Sequence, residues 1–254
     1  MWALHPGLSA SRLAQWASSH RPRAILVISP HWMTHGGVAV MTTASPATWH
    51  DFGGFPPALY ALQYPAPGAP DVGVLAATCL GEAGFDVSLD DQRPLDHGAW
   101  VPLRFMWPQA DIPVTQVSLP ASATPRELMR MGAALRPLRD DGVLLLCTGS
   151  MTHNLIERDR ASDLSYVGAF AHWVRQRVMS KDIEALLEWA QLAPHAKRAH
   201  PSDEHLLPLL IALGAVQAQE DAHWLNDEIQ FGFLAMDAVA WGDAPATAST
   251  PPAL

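Results

Sequence analysis

Apolar residues in this chain come in short unbroken runs, separated by polar turns rich in glycine and proline. Two runs carry no charge. Residues 24–28 read Ala-Ile-Leu-Val-Ile and close at Ser29-Pro30-His31; residues 143–147 close at Thr148-Gly149-Ser150. Such runs, ended by turn residues, predict strands buried on both faces, as in a parallel sheet. Pro30 has no N–H to give a ladder, so it is expected to stop the first strand and leave His31 at its carboxyl end. His153 follows the second run in the same way. Further strands are expected at 38–42, 85–89, 114–119 and 231–241.

Between these runs the spacing becomes helical. A helix is expected at 9–17, capped by Ser9 or Ser11, and another at 71–84 with Val74, Leu75, Thr78 and Cys79 inward. A loop at 96–100 precedes a short helix at 101–107. Thr124 caps a helix that starts at Pro125 and runs to about 139. Residues 161–193 read as helical. A last helix, opened by residues 201–205 and running through 218, has His205 in its first turn. Strands alternating with helices predict one α/β domain over 1–242, with a central, mostly parallel sheet flanked by helices. Residues 243–254, rich in Pro, Ala, Ser and Thr, are expected to form a disordered tail.

Composition narrows the function. With 254 residues, 49% of them apolar, the chain can bury a sizeable core. A formal net charge of −9 argues against a nucleic-acid or acidic-membrane partner. No apolar run is long enough to span a bilayer, and the start lacks a basic-then-apolar signal. Cys79 and Cys147 are far apart, so a reducing cytoplasm is the expected location.

Twelve histidines stand out. His31 and His153 each follow a buried run and His205 opens a helix; three imidazoles at one sheet edge would suit a divalent transition metal. Alternatively, each is a hydrogen-bonded structural histidine, for no local HxH or HxxxH spacing is present. Asp96 could orient His97 and fix its tautomer, or could simply make a turn beside a solvated ring. His50-Asp51, before Phe52-Gly53-Gly54-Phe55, suggests a loop over a flat apolar ligand, or else an aromatic plug. Trp32 and Trp100 could border the site. No nucleophile elbow, P-loop, dinucleotide glycine fingerprint or CxxC occurs.

Six segments together resemble a known family: Ser29-Pro30-His31-Trp32, His50-Asp51-Phe52-Gly53-Gly54-Phe55-Pro56, Tyr64-Pro65-Ala66-Pro67-Gly68, Asp96-His97-Gly98, Gly149-Ser150-Met151-Thr152-His153-Asn154 and Glu204-His205-Leu206-Leu207-Pro208. The chain resembles the class III extradiol ring-cleavage dioxygenases, in the 4,5-DOPA dioxygenase-like branch. The resemblance implies a catechol and O₂ as small-molecule substrates, Fe(II) in catalysis and Zn(II) as an isolated form. It implies that His31 and His205 are metal ligands and that His153 is the general acid/base, sometimes a further ligand. It also implies that His97 contacts substrate and that His50 lies in a loop at the substrate.

The resemblance has one departure. Relatives open with an apolar strand ending in His-Gly-Ser-Pro, whose histidine is the first ligand. Here Met1-Trp2-Ala3-Leu4 looks like the residues just after that motif, and His5 falls past the expected position. The expectation is a shortened chain without its first strand and one ligand, with an exposed sheet edge, weak metal binding and low activity. A non-catalytic relative that keeps the metal pocket and binds a partner is the alternative.

Overall fold

A computed structural model describes residues 2–159 and 164–242. The expected tail, 243–254, lies outside the described residues. The five-stranded sheet comprises β1 (Ala24–Thr34), β2 (Val38–Met41), β3 (Val87–Asp90), β4 (Val114–Pro120) and β5 (Val143–Cys147), in the order β3-β2-β4-β1-β5. β4, β1 and β5 are mutually parallel, as are β2 and β3; β2 meets β4 antiparallel at Val40 and Val117. The sheet is thus mostly parallel, as expected.

Alternation along β1 feeds two cores, because successive side chains of a strand point to opposite faces. Leu26 and Ile28 join one cluster; Ile25 and Val27 join the other. Helices α1 (Gly7–Ser18) and α3 (His97–Met106) cover the second face. On the first face lie α2 (Pro70–Glu82), α4 (Pro125–Leu135), α5 (Ser165–Met179) and α6 (Leu207–Ala215). Beyond the sheet, β6 (His223–Asn226) pairs with β9 (Ala238–Ala240), and β7 (Ile229–Gln230) pairs with β8 (Leu234–Ala235).

Several sequence expectations are corrected here. Pro30 does not end β1, which runs on to Thr34. The pairing with β4 shifts register between Ile28 and Met33, so Pro30 falls in a bulge where no ladder donor is required. α2 turns Val72, Gly73, Ala76 and Leu80 inward, while Val74 and Leu75 face solvent. The helix approaches the sheet so closely that a Cβ on Gly73 would stand 2.4 Å from the Met41 carbonyl oxygen, which excludes larger residues from that face.

Ser9 is not a cap. It lies inside α1, and its hydroxyl donates to the Pro6 carbonyl at 2.9 Å. Among the described residues, 164–193 hold three helices, the first two parted where Lys181 adopts φ +56°; 161–163 lie outside the described residues. The 125–139 helix stops at Leu135, and Pro137 starts a separate turn. The single strand expected at 231–241 is two short ones, with Phe231 at φ +52° in the turn before them. Among the described residues no helix is long and apolar enough to cross a membrane.

Candidate metal centre and active site

The site lies at the bulge of β1 and past the carboxyl end of β5, on the sheet edge where open α/β sheets bind ligands. The β1 bulge turns His31 out of the ladder, and its N–H donates to Ser29 Oγ at 3.2 Å. The loop after β5 carries His153, whose N–H donates to the Ala199 carbonyl at 2.9 Å. Within that loop Thr152 Oγ1 donates to the Phe233 carbonyl, and the Ala235 N–H donates back to Thr152. His205 sits in the turn before α6, not in a helical first turn; its carbonyl accepts from the Ser150 N–H at 3.1 Å.

Four imidazoles therefore converge from separate segments. Ring centroids are 3.9 Å apart for His31 and His97, and 5.3 Å for His31 and His205. His153 stacks on His205 at 3.4 Å with 8° between planes. All four line one end of a cavity of about 780 Å³, with Phe52, Phe55 and Leu155 among the other walls. That volume falls within the range of small-molecule sites.

Two carboxylates fix the rings. Asp51 Oδ1 accepts from both the backbone N–H and Nδ1–H of His97, each at 2.9 Å, and Asp51 Oδ2 is 3.8 Å from His31 Nδ1. A carboxylate only accepts, so Nδ1 of His97 is the donor in this contact and Nε2 is the ring nitrogen left for other partners. Glu204 does the same for His205, accepting from Nδ1–H at 2.8 Å. The sequence left open whether Asp96 orients His97 or makes a turn beside it, and the orienting role falls to Asp51 instead. Asp96 caps α3, accepting from the Ala99 N–H, and it also accepts from Ser29, Gln116 and Arg93. Residues 97–100 are accordingly the first turn of α3, not a loop.

Burial sets the charge. Desolvation, and then the neighbouring His97 and His205 rings, bring His31 down to about 4. Desolvation and then His205 bring His153 down to about 3. Burial raises Asp51, but its hydrogen bonds from His97 outweigh that and hold it below the usual carboxylate value. The hydrogen bond from His205 takes Glu204 down to about 2. Near neutral pH the rings of His31 and His153 are neutral, beside ionised Asp51 and Glu204, and these imidazoles and carboxylates are a donor set that fits a divalent transition metal. Two groups have donor atoms within 4.8 Å of one another: His31, Asp51 and His97, and His153, Glu204 and His205.

The remaining expected residues lie elsewhere. His50 does not join the cluster; its Nε2–H donates to the Leu62 carbonyl at 3.0 Å, and its ring packs on Trp100, Phe52 and Tyr60. Trp100 is buried beneath that loop, donating to the Trp49 carbonyl. Trp32 is buried under the Arg93 guanidinium. Asp51 was the residue missed. Its signal was adjacency to His50, which pointed to the wrong imidazole.

Comparison with known proteins agrees with this geometry. The chain is 38% identical over 219 residues to the 4,5-DOPA dioxygenase extradiol of Beta vulgaris, covering 85% of this chain and 81% of that protein. It is 38% identical over 229 residues to the Escherichia coli K12 protein of the same name, covering 87% and 83%. The crystal structure of the uncharacterized E. coli K12 protein JW3007 superposes with a TM-score of 0.75 at 29% identity, covering 91% of each chain. Residues 9–235 match the family model described as the catalytic LigB subunit of aromatic ring-opening dioxygenase. With imidazoles gathered at the sheet edge and a match over most of its length, the chain belongs to the LigB family of aromatic ring-opening dioxygenases, and is an oxidoreductase.

Proposed function

We propose that the protein opens a catechol ring by extradiol cleavage, with His31 and His205 as metal ligands and His153 as general acid/base or further ligand. The observation that carries this reading is the meeting of His31, His97, His153 and His205 on one cavity wall. A bound ferrous ion would supply the redox centre that brings the diol and O₂ together, which Zn(II), with no redox change, cannot do.

The chain's own groups handle protons and orientation. His153 is neutral near pH 7, so its ring would take up a proton from the catechol and return one to the opening product. His97, held through Nδ1 by Asp51, offers Nε2 to a substrate oxygen. Phe52 and Phe55, at 5.4 Å and 89° to each other, give the ring an apolar wall. His50 supports Phe52 from behind at 5.7 Å. Both atoms of O₂ enter the product. The bond between a hydroxylated carbon and its unsubstituted neighbour breaks, leaving a carboxylic acid and an aldehyde.

The resemblance expects one more imidazole ahead of Met1. With the metal held by His31 and His205, and by His153 where it serves as a further ligand, we expect weak metal binding and low turnover for these 254 residues. The test is O₂ uptake by protein loaded anaerobically with Fe(II) and given DOPA or another catechol. Uptake matched by a coloured semialdehyde is expected, and the zinc form should give none. Metal and catechol bound without any O₂ uptake would instead favour the partner-binding relative.

A further inference from the structure

Asp51 faces two imidazoles but hydrogen-bonds only one. Its Oδ1 accepts from the backbone N–H and from Nδ1–H of His97, each at 2.9 Å. Its Oδ2 stands 3.8 Å from His31 Nδ1, too far for a hydrogen bond. Among the described residues, the hydrogen bonds that His31 makes outside the strand ladder are all through its backbone, the N–H to Ser29 Oγ and the carbonyl from Arg93. A carboxylate oxygen and a ring nitrogen therefore face each other across a gap that neither fills. The Asp51 side chain is only 8% exposed, so bulk water has little access to it.

The gap has the dimensions of a metal site. With bonds of about 2.0–2.2 Å, donors around one ion stand from about 2.8 Å apart at right angles to about 4.4 Å apart across it. The separations of 2.9 and 3.8 Å both fall inside that span. Donor atoms of His31, Asp51 and His97 all lie within 4.8 Å of one another. Two imidazoles and a carboxylate suit a late first-row divalent ion, whereas Ca²⁺ and Mg²⁺ take oxygen donors. An ion taking His97 Nδ1 replaces the proton there, and that proton moves to Nε2, so the ring stays neutral.

The three donors sit on segments that are already fixed to one another. The stretch leading to Asp51 is bonded along the approach to α3: the Leu95 N–H donates to the Ala47 carbonyl at 2.9 Å and the Trp49 N–H to the Leu95 carbonyl at 2.8 Å. Trp100 Nε1–H, one turn into α3, donates to the Trp49 carbonyl at 2.8 Å. His97 opens α3, and Gly98 beside it lets that turn lie against the His31 ring, where a Cβ would meet Cδ2 at 2.9 Å. Phe52 covers His97 edge-on at 5.3 Å. An ion entering here needs little rearrangement, and supporting bonds of this kind are what hold ligands in place.

We propose that His31, Asp51 and His97 form a second metal site, which takes a divalent ion of the Zn(II) class beside the ion of the ring-opening centre. His153, Glu204 and His205 make a separate group, so each ion has a carboxylate of its own to offset the repulsion between them. A neutral imidazole binds one ion. An ion in the second site therefore draws His31 away from the ion it shares with His205, and takes His97 away from the substrate. The site is inhibitory and fills when the divalent ion is in excess. That consequence rests on the ring-opening reading; the binding of the ion does not.

Equilibrium dialysis of the full chain against Zn(II) counts the ions. About two per chain are expected at saturation, falling to about one in Asp51→Asn and in His97→Gln, with the remaining ion held no more weakly than in the parent. Imidazole nitrogen-15 shifts of the parent give a reading that needs no variant to fold. The second equivalent of zinc should convert His97 Nδ1 from a protonated to a metal-bound nitrogen and place the ring proton on Nε2. Fewer than two ions bound by the parent overturns the proposal. So does a second ion that both variants keep, or a His97 Nδ1 proton that survives zinc saturation. None of these readouts involves catechol or O₂, so failure here leaves the ring-opening assignment standing, and a protein that binds both ions yet takes up no O₂ with iron overturns that assignment alone.

Discussion

At the scale of single residues, the centre depends on glycines that let backbone segments touch. A Cβ on Gly149 would stand 2.2 Å from the His205 carbonyl oxygen, which is backbone and cannot swing aside. A Cβ on Gly98 would meet Ser29 Oγ at 2.2 Å and His31 Cδ2 at 2.9 Å. Gly53, in the conspicuous Phe52-Gly53-Gly54-Phe55 segment, has nothing within 4 Å. Gly149→Ala is thus expected to push His205 away from His31 and to destabilise the fold by about 1–3 kcal/mol. It should also weaken Zn(II) binding by about tenfold or more, since a small misplacement of a ligand is costly. Gly53→Ala should stay within about 0.5 kcal/mol of the parent in a thermal melt and keep its zinc affinity in calorimetry. Equal zinc affinities for the two variants would show that the 149–205 contact does not position the centre.

At the scale of elements, Asp96 fastens α3 to β1. Its carboxylate caps the helix at Ala99, takes the Ser29 hydroxyl at 2.8 Å and Gln116 at 2.9 Å, and pairs with Arg93 at 3.2 Å. Arg93 is itself held between Trp32 and Trp49, 4.6 and 5.0 Å from the ring centroids. Asp96→Ala removes a cap and leaves a mostly buried guanidinium without its carboxylate, so a loss of about 3–5 kcal/mol is expected. A fall in urea midpoint at unchanged m-value would measure it. The same residue shows where sequence reading runs out. Adjacency made Asp96 the natural partner of His97, but neighbours on a helix do not face each other. An N-cap carboxylate folds back on the N–H groups ahead of it, and the partner of His97 comes from Asp51, on a different loop. The strands were legible because uncharged runs such as 143–147 have few other uses. The continuation of β1 through Pro30 was not, because a bulge depends on the neighbouring strand's register. That His31, His153 and His205 meet was readable from the two uncharged runs that His31 and His153 follow and from the family motifs. Their stacking and their carboxylate partners are set by loops packing on one another, and no local pattern records that.

At the scale of the whole molecule, the buried imidazoles tie stability to pH. His31, His153 and His200 are brought to about 4, 3 and 4, in each case first by burial. The unfolded chain titrates these rings near 6.5, so between that value and about 4 it binds more protons than the fold does. Stability contributed by keeping them neutral is therefore complete above about 6.5 and declines as pH falls through this window. Glu204, at about 2, acts in a lower window: the stability it gives is present above its ordinary value and is lost as pH falls towards 2. His200 reports the first effect from outside the proposed ligands, with burial ahead of the nearby His205 in lowering it. It is buried against Phe170 and Trp189, and its Nε2–H donates to the Met151 carbonyl at 2.9 Å. Its Nδ1 has no partner among the described residues, so a proton there would be buried without an acceptor. A shift of this size is worth roughly 3 kcal/mol of acid-induced loss. His200→Gln is expected to lower the melting temperature at pH 8 by losing packing, yet to flatten the decline between pH 6.5 and 4, measured after chelator treatment. Parent and variant curves that stay parallel through that window would place the acid lability in the metal-binding cluster alone.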